Sequence, residues 1–141
     1  MTKNALCFPA ALLVVAACHT ANAEEWQCQL HEIPPSTSTF DYDIVLENAL
    51  TARVEVTPSK LGVSPLDDAE AGTSFLNVLE NSPDGLVLAA GNAGPTKYGR
   101  GVYGSLLVLD RRNATAVQSY AMATEKIGYV NPPRMGSCTR R

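Results

Sequence analysis

The stretch Phe40-Asp41-Tyr42-Asp43-Ile44-Val45-Leu46-Glu47 alternates in character at every step. Phe40, Tyr42, Ile44 and Leu46 fall on one face of an extended chain, and Asp41, Asp43, Val45 and Glu47 fall on the other. A period of two is the signature of a β-strand with one face in a core and one in water. After a short turn at Asn48-Ala49-Leu50 the alternation resumes, with Ala52, Val54 and Val56 facing in and Arg53, Glu55 and Thr57 facing out. The two runs read as a hairpin, with Arg53 placed to meet the carboxylates of the preceding strand.

Outward from this hairpin, further strands are expected over residues 26–31, 75–80, 86–90, 104–110, 114–122 and 127–130, about eight in all. The apolar runs Leu86-Val87-Leu88 and Leu106-Leu107-Val108-Leu109 suggest central strands covered on both faces. Asn81-Ser82-Pro83-Asp84-Gly85 carries turn chemistry, with Pro for a fixed φ and Gly for a positive one, and Asp110-Arg111-Arg112-Asn113 reads as a polar hairpin tip. One short helix is expected over residues 60–72: Ser64 can cap it, Pro65 fits its first position, Asp67, Asp68 and Glu70 suit its positive end, and Gly72 can close it. The fold class is therefore mainly β, a small antiparallel meander closed as a barrel or folded as a sandwich.

The chain has 141 residues, 45% apolar and 18% charged, which suits one compact domain and excludes a disordered chain. Residues 1–23 have the form of a secretory signal: Lys3, an apolar run from Ala5 to Ala17, then Ala21-Asn22-Ala23 as a cleavage site. Cleavage there leaves a single β domain over 24–141. A second reading of the same segment is a bacterial lipobox, Val15-Ala16-Ala17-Cys18, in which Cys18 would carry a lipid anchor. Both readings take the protein out of the cytosol, to the periplasm or medium in the first case and to the outer membrane in the second. A membrane contact is expected only if Cys18 is lipidated. The mature chain keeps 10 basic and 14 acidic residues, a net charge of −4, which argues against nucleic acid as a partner.

Removal of the leader leaves two cysteines, Cys28 and Cys138. In an oxidising compartment an even count favours a disulfide between them, joining the two ends of the domain, with free or intermolecular thiols as the alternative.

Reactive groups are scarce. His31 is the one mature histidine, so any His-dependent nucleophile must run through it, and no Gly-x-Ser-x-Gly elbow occurs. Asp41 and Asp43 have the spacing of a paired acid and base, but also that of a solvated strand face. Asp67, Asp68 and Glu70 could collect oxygens around Ca²⁺, but without EF-hand spacing, and a helix start accounts for them with no metal. No cofactor is implied. Residues 90–105 stand out, with Gly91, Gly94, Gly99, Gly101 and Gly104 interleaved with Lys97, Tyr98, Arg100 and Tyr103. Its Gly91-Asn92-Ala93-Gly94-Pro95-Thr96-Lys97 lacks the ending of a phosphate loop. A flexible, cationic and aromatic loop of this kind can close over a ligand or present a contact surface. Lys97, Tyr98, Arg100 and Tyr103 are therefore the expected contact residues for an unidentified small molecule or envelope protein.

Glu24-Glu25-Trp26-Gln27-Cys28, Leu79-Glu80-Asn81-Ser82-Pro83-Asp84-Gly85-Leu86-Val87, Val108-Leu109-Asp110-Arg111 and Gly136-Ser137-Cys138 together resemble small exported β-proteins of Gram-negative bacteria that open with Trp-x-Cys, a largely uncharacterised group. The resemblance implies an envelope location and a disulfide-closed β fold, and carries over no catalytic residue. Small periplasmic lysozyme inhibitors also join terminal cysteines across a β-barrel; residues 98–103 are the nearest counterpart of their recognition loop. The expected function is a non-catalytic exported binding protein. The alternatives are a small periplasmic hydrolase using Asp41 and Asp43 or His31, and an inhibitor-type lipoprotein anchored through Cys18.

Overall fold

The computed structural model describes residues 23–33, 38–60, 71–96 and 98–141. Its elements are all strands: β1 (Glu25–Glu32), β2 (Thr39–Leu46), β3 (Thr51–Lys60), β4 (Gly72–Asn81), β5 (Gly85–Thr96), β6 (Gly99–Asp110), β7 (Thr115–Thr124), β8 (Gly128–Val130) and β9 (Arg134–Arg140). Each of β1 to β7 pairs antiparallel with the next, β7 pairs with β9, and β9 pairs with β1. The ring is an eight-stranded barrel, which settles the choice between barrel and sandwich. Strand β8 pairs with β7 alone and stands outside the closed ring.

Two expectations are corrected, and a third, the short helix, falls largely outside the described residues. No helix occurs among the described residues; residues 61–70 lie outside them, and the two ends of the expected helix, Lys60 and Gly72, belong to β3 and β4. Residues 90–96 and 99–105 are not a flexible loop: they form the outer halves of β5 and β6, paired from Ala90↔Ser105 to Thr96↔Gly99. The runs around Val87 and Val108 are covered on one face only. Leu86, Leu88, Leu107 and Leu109 point into the barrel, while Leu106 and Val108 are exposed on its outside.

Strand β9 was not expected from the sequence, and it closes the barrel. It lies between β1 and β7 with Cys28 directly opposite Cys138, and the expected disulfide joins them across a sequence separation of 110. Beside it the two backbones approach so closely that a Cβ on Gly136 would lie 1.9 Å from the Gln29 carbonyl oxygen. Only glycine fits at that point of the seam. Closing a loop of this size removes about 4.7 kcal/mol of chain entropy from the unfolded state in the loop-closure account.

The two poles of the barrel differ. At one pole the turns are short and the interior is filled by Trp26, Leu46, Ala52, Leu76, Leu86, Leu109, Ala116 and the disulfide, all buried. Arg111 straps this pole. Its Nε and Nη2 donate to the two oxygens of Glu24 at 2.9 and 2.7 Å, Nη2 also donates to Asn81 Oδ1 at 2.8 Å, and Nη1 donates to the carbonyls of Ser82 and Gly85. Trp26 Nε1 adds a donor to Glu24 at 2.6 Å. Burial pushes the Glu24 carboxyl up, but the hydrogen bonds from Trp26 and Arg111 and the charges of Arg111 and Arg140 outweigh it, so the group sits below its ordinary range. The neighbouring turn is held by Asp110, which accepts from the backbone of Arg112 and Asn113 and from the Asn113 side chain. Gly85 serves there by close approach, since a Cβ on it would lie 2.8 Å from the Leu109 carbonyl oxygen; a positive φ belongs to Ala114 instead, at 51°.

Candidate functional site

The opposite half of the barrel encloses a cavity of about 850 Å³, within the size range of small-molecule sites. Small residues give it room: Ala90, Asn92 and Ser105 continue the inward rows that carry Leu86, Leu88, Leu107 and Leu109 in the lower half, and Gly104 borders it with backbone alone. Pairing between β4 and β5 stops at Asn77↔Ala89, although both strands continue past it. The walls therefore part between residues 72–76 of β4 and residues 90–96 of β5, and Thr73, Ser74, Phe75, Gly91 and Thr96 border the cavity along this opening.

The lining has two chemistries. Tyr98, Tyr103, Tyr120 and Tyr129 supply aromatic walls, with Val54, Val56, Met122 and Ile127 between them. The Tyr103 and Tyr120 rings lie 6.3 Å apart and tilted by 32°, a favourable arrangement for aromatic rings. The inner end is polar. Arg134 Nη1 donates to the Tyr42 hydroxyl at 3.0 Å, that hydroxyl lies 3.4 Å from Gln118 Oε1, and Gln118 Nε2 donates to Ser105 Oγ at 3.1 Å. Arg134 also pairs with Glu32 at 3.1 Å and lies over the Phe40 ring, 3.4 Å from its centroid. Arg134 and Glu32 are both buried, at 2% and 7% exposure.

Arg134 reaches this position through an irregularity. The β7–β8 ladder ends with Ala121↔Val130, while the β7–β9 ladder begins with Gln118↔Arg134, a register slip of one residue across Asn131-Pro132-Pro133. Prolines lack the N–H that a continuous ladder needs. The extra residue changes the inward phase, so Asn131 and Arg134, three apart and on opposite faces of a regular strand, both line the cavity.

Of the four expected contact residues, Tyr98 and Tyr103 line the cavity, Arg100 is exposed and does not, and Lys97 lies outside the described residues, as does Cys18. Asp41 and Asp43 sit on the outer face of β2, where Gln29 donates to Asp41 at 3.1 Å and Arg141 pairs with Asp43 at 3.4 Å. Arg53 pairs with Glu47 and Glu55 rather than with either aspartate. His31 is exposed on the outside of β1. Asp67, Asp68 and Glu70 lie outside the described residues; among those described, no three His, Cys, Asp or Glu side chains gather as a metal site would require. The sequence reading missed Arg134, Glu32, Tyr42 and Gln118. No known family model, curated protein or solved structure matches the chain.

Proposed function

We propose that this protein is an exported, non-catalytic barrel that holds one small, mainly apolar molecule in its open half. The observation that carries the reading is the cavity itself: aromatic and aliphatic walls, a few convergent polar groups at the inner end, and a lateral opening for entry. Eight-stranded barrels have an interior just wide enough to be filled by side chains or to hold one small ligand; here the lower half is filled and the upper half is not. Export is supported by the signal-like segment over 1–23 and by a disulfide that suits an oxidising compartment. A hydrolase reading has its candidate groups, Asp41, Asp43 and His31, on the outer surface and away from the cavity.

Native mass spectrometry of the protein recovered from an exporting host tests this directly. The expected spectrum begins at Glu24, is two hydrogens lighter than the reduced chain, and carries one non-covalent small-molecule adduct released by mild activation. A mass beginning at an acylated Cys18 would overturn soluble export in favour of a membrane tether. A bare protein that also fails to bind the neutral fluorophore N-phenylnaphthylamine saturably would overturn the ligand-binding role.

A further inference from the structure

The barrel has two unlike flanks. The outer faces of β2 and β3 carry Asp41, Asp43, Arg53 and Glu55, held in ion pairs and hydrogen bonds with one another and with their neighbours. The outer faces of β5, β6, β7 and β9 are apolar, and the ladders align their residues in rows. Val87, Val108, Val117 and Met135 are paired one to the next across the four strands, a ridge of large side chains. Two residues along each strand, Leu106 stands between Ala89 and Ser119. Two further again, Gly91 and Gly104 are directly opposed, with Ala121 beside them and Val130 of β8 beyond. The middle of that row is a trough in which the longest side chain is a methyl group. Leu106, Val108, Val117 and Met135 are between 39% and 43% exposed, and Val130 is 70% exposed. No residue in these rows is charged, and none is Trp or Tyr.

We propose that this flank binds a second copy of the chain, ridge into trough, about a two-fold axis lying along the Leu106 row. Ridge and trough stand two residues to either side of that row on every strand: 108 and 104 on β6, 117 and 121 on β7, 87 and 91 on β5. A half-turn about the row exchanges them. It sets Val108 over Gly104 of the second copy and Val117 over Ala121, and it brings Leu106 against its own counterpart, as a self-complementary interface requires. The mature chain has 10 basic and 14 acidic residues, so two copies repel overall. The charge-free flank is where they approach at least Coulombic cost and where apolar surface gains most by leaving water. Four strands about 4.8 Å apart and seven residues at about 3.4 Å give roughly 450 Å² in plan per copy, and more as accessible surface. A pair thus reaches the roughly 1,000 Å² that a specific interface needs, at the small end of that class. A lipid surface fits less well, because the Trp, Tyr, Lys and Arg anchors that sit at headgroup level are missing from these rows. The proposal does not depend on what the cavity holds.

Sedimentation velocity of the disulfide-intact protein tests this, with a monomer–dimer equilibrium expected between about 1 and 100 µM for an interface of this size. Leu106→Glu and Leu106→Lys each set like charges against one another at the axis, and each should raise the dissociation constant about a hundredfold or more. Mixed one to one, the two variants should re-form a dimer about tenfold or more tighter than either makes alone. Leu106 lies outside the barrel core, so both variants should keep the thermal midpoint of the unaltered chain. A monomer throughout the range would overturn the proposal, and its flotation with phosphatidylethanolamine–phosphatidylglycerol vesicles would assign the flank to a lipid surface instead. A dimer that both variants leave intact would overturn the choice of this face. A mixture that stays monomeric would overturn the axis along the Leu106 row.

Discussion

The two halves of this barrel use the same strands for opposite purposes. In the lower half each strand of the ring contributes a buried inward residue, and Cys28–Cys138, Gly136 and Arg111 lock the seam and the pole. In the upper half the inward rows of β5 and β6 pass to Ala90, Asn92 and Ser105, β4 and β5 part, and the buried Arg134–Glu32 pair lies at the inner end. A barrel of eight strands can be solid or hollow, and here the composition of two strands decides which, half by half. The disulfide and the close-fitting Gly136 lie where β1 and β9 meet, and the cavity lies toward the opposite pole.

The largest effect should come from opening the seam. Replacing Cys28 and Cys138 together by Ser should lower unfolding stability by about 2–5 kcal/mol, read as a shift of the urea midpoint. An unchanged midpoint would mean that the β1–β9 ladder holds the ends without the bond. Next is the strap: Arg111→Ala should cost about 1.5–3 kcal/mol, since it leaves a half-buried Glu24 with fewer donors. The same pair sets an acid limb. Glu24 titrates below its ordinary value of 4.5 in the folded protein, so its contribution is complete above about that pH and is lost as pH falls through the lowered value. Glu24→Gln should flatten that limb in acid denaturation; an unaltered profile would show the strap to be electrostatically idle. The smallest stability change belongs to the hollow half, where Tyr103→Ala should alter the thermal midpoint by no more than the equivalent of about 1 kcal/mol yet weaken binding of N-phenylnaphthylamine severalfold. A large loss of stability there would erase the contrast between the halves.

Much of the lower half was legible from the sequence. Phe40, Tyr42, Ile44, Leu46, Ala52 and Val54 face the barrel interior as their alternation requires, and Cys28 and Cys138 form the staple between β1 and β9. Strand β9 was not legible, because Arg134-Met135-Gly136-Ser137-Cys138-Thr139-Arg140 has no apolar alternation and follows two prolines, which reads as a tail. Its pairing is fixed by closure of the ring rather than by its own pattern. Arg134 was illegible for a related reason: a charge normally marks the outer face, and the phase change at Asn131-Pro132-Pro133 is a property of the register. The glycines over 91–104 were misread. In a strand they do not give a flexible loop; they remove side chains from a wall. Of the residues picked there, Tyr103 faces the cavity and Arg100 points away, a distinction set by strand parity that a loop does not have, while Tyr98 lines the cavity from the turn before β6.

If the upper half is the site and the lower half its support, a bound ligand should perturb one half only. The most direct test is a map of backbone amide shifts during titration with N-phenylnaphthylamine. Saturating changes are expected at Tyr98, Tyr103, Gln118, Tyr120, Tyr129 and Arg134, with Trp26, Leu86, Leu109 and Ala116 unmoved. Changes centred on the exposed outer residues Leu106, Val108 and Val117, with the cavity lining silent, would contradict that division.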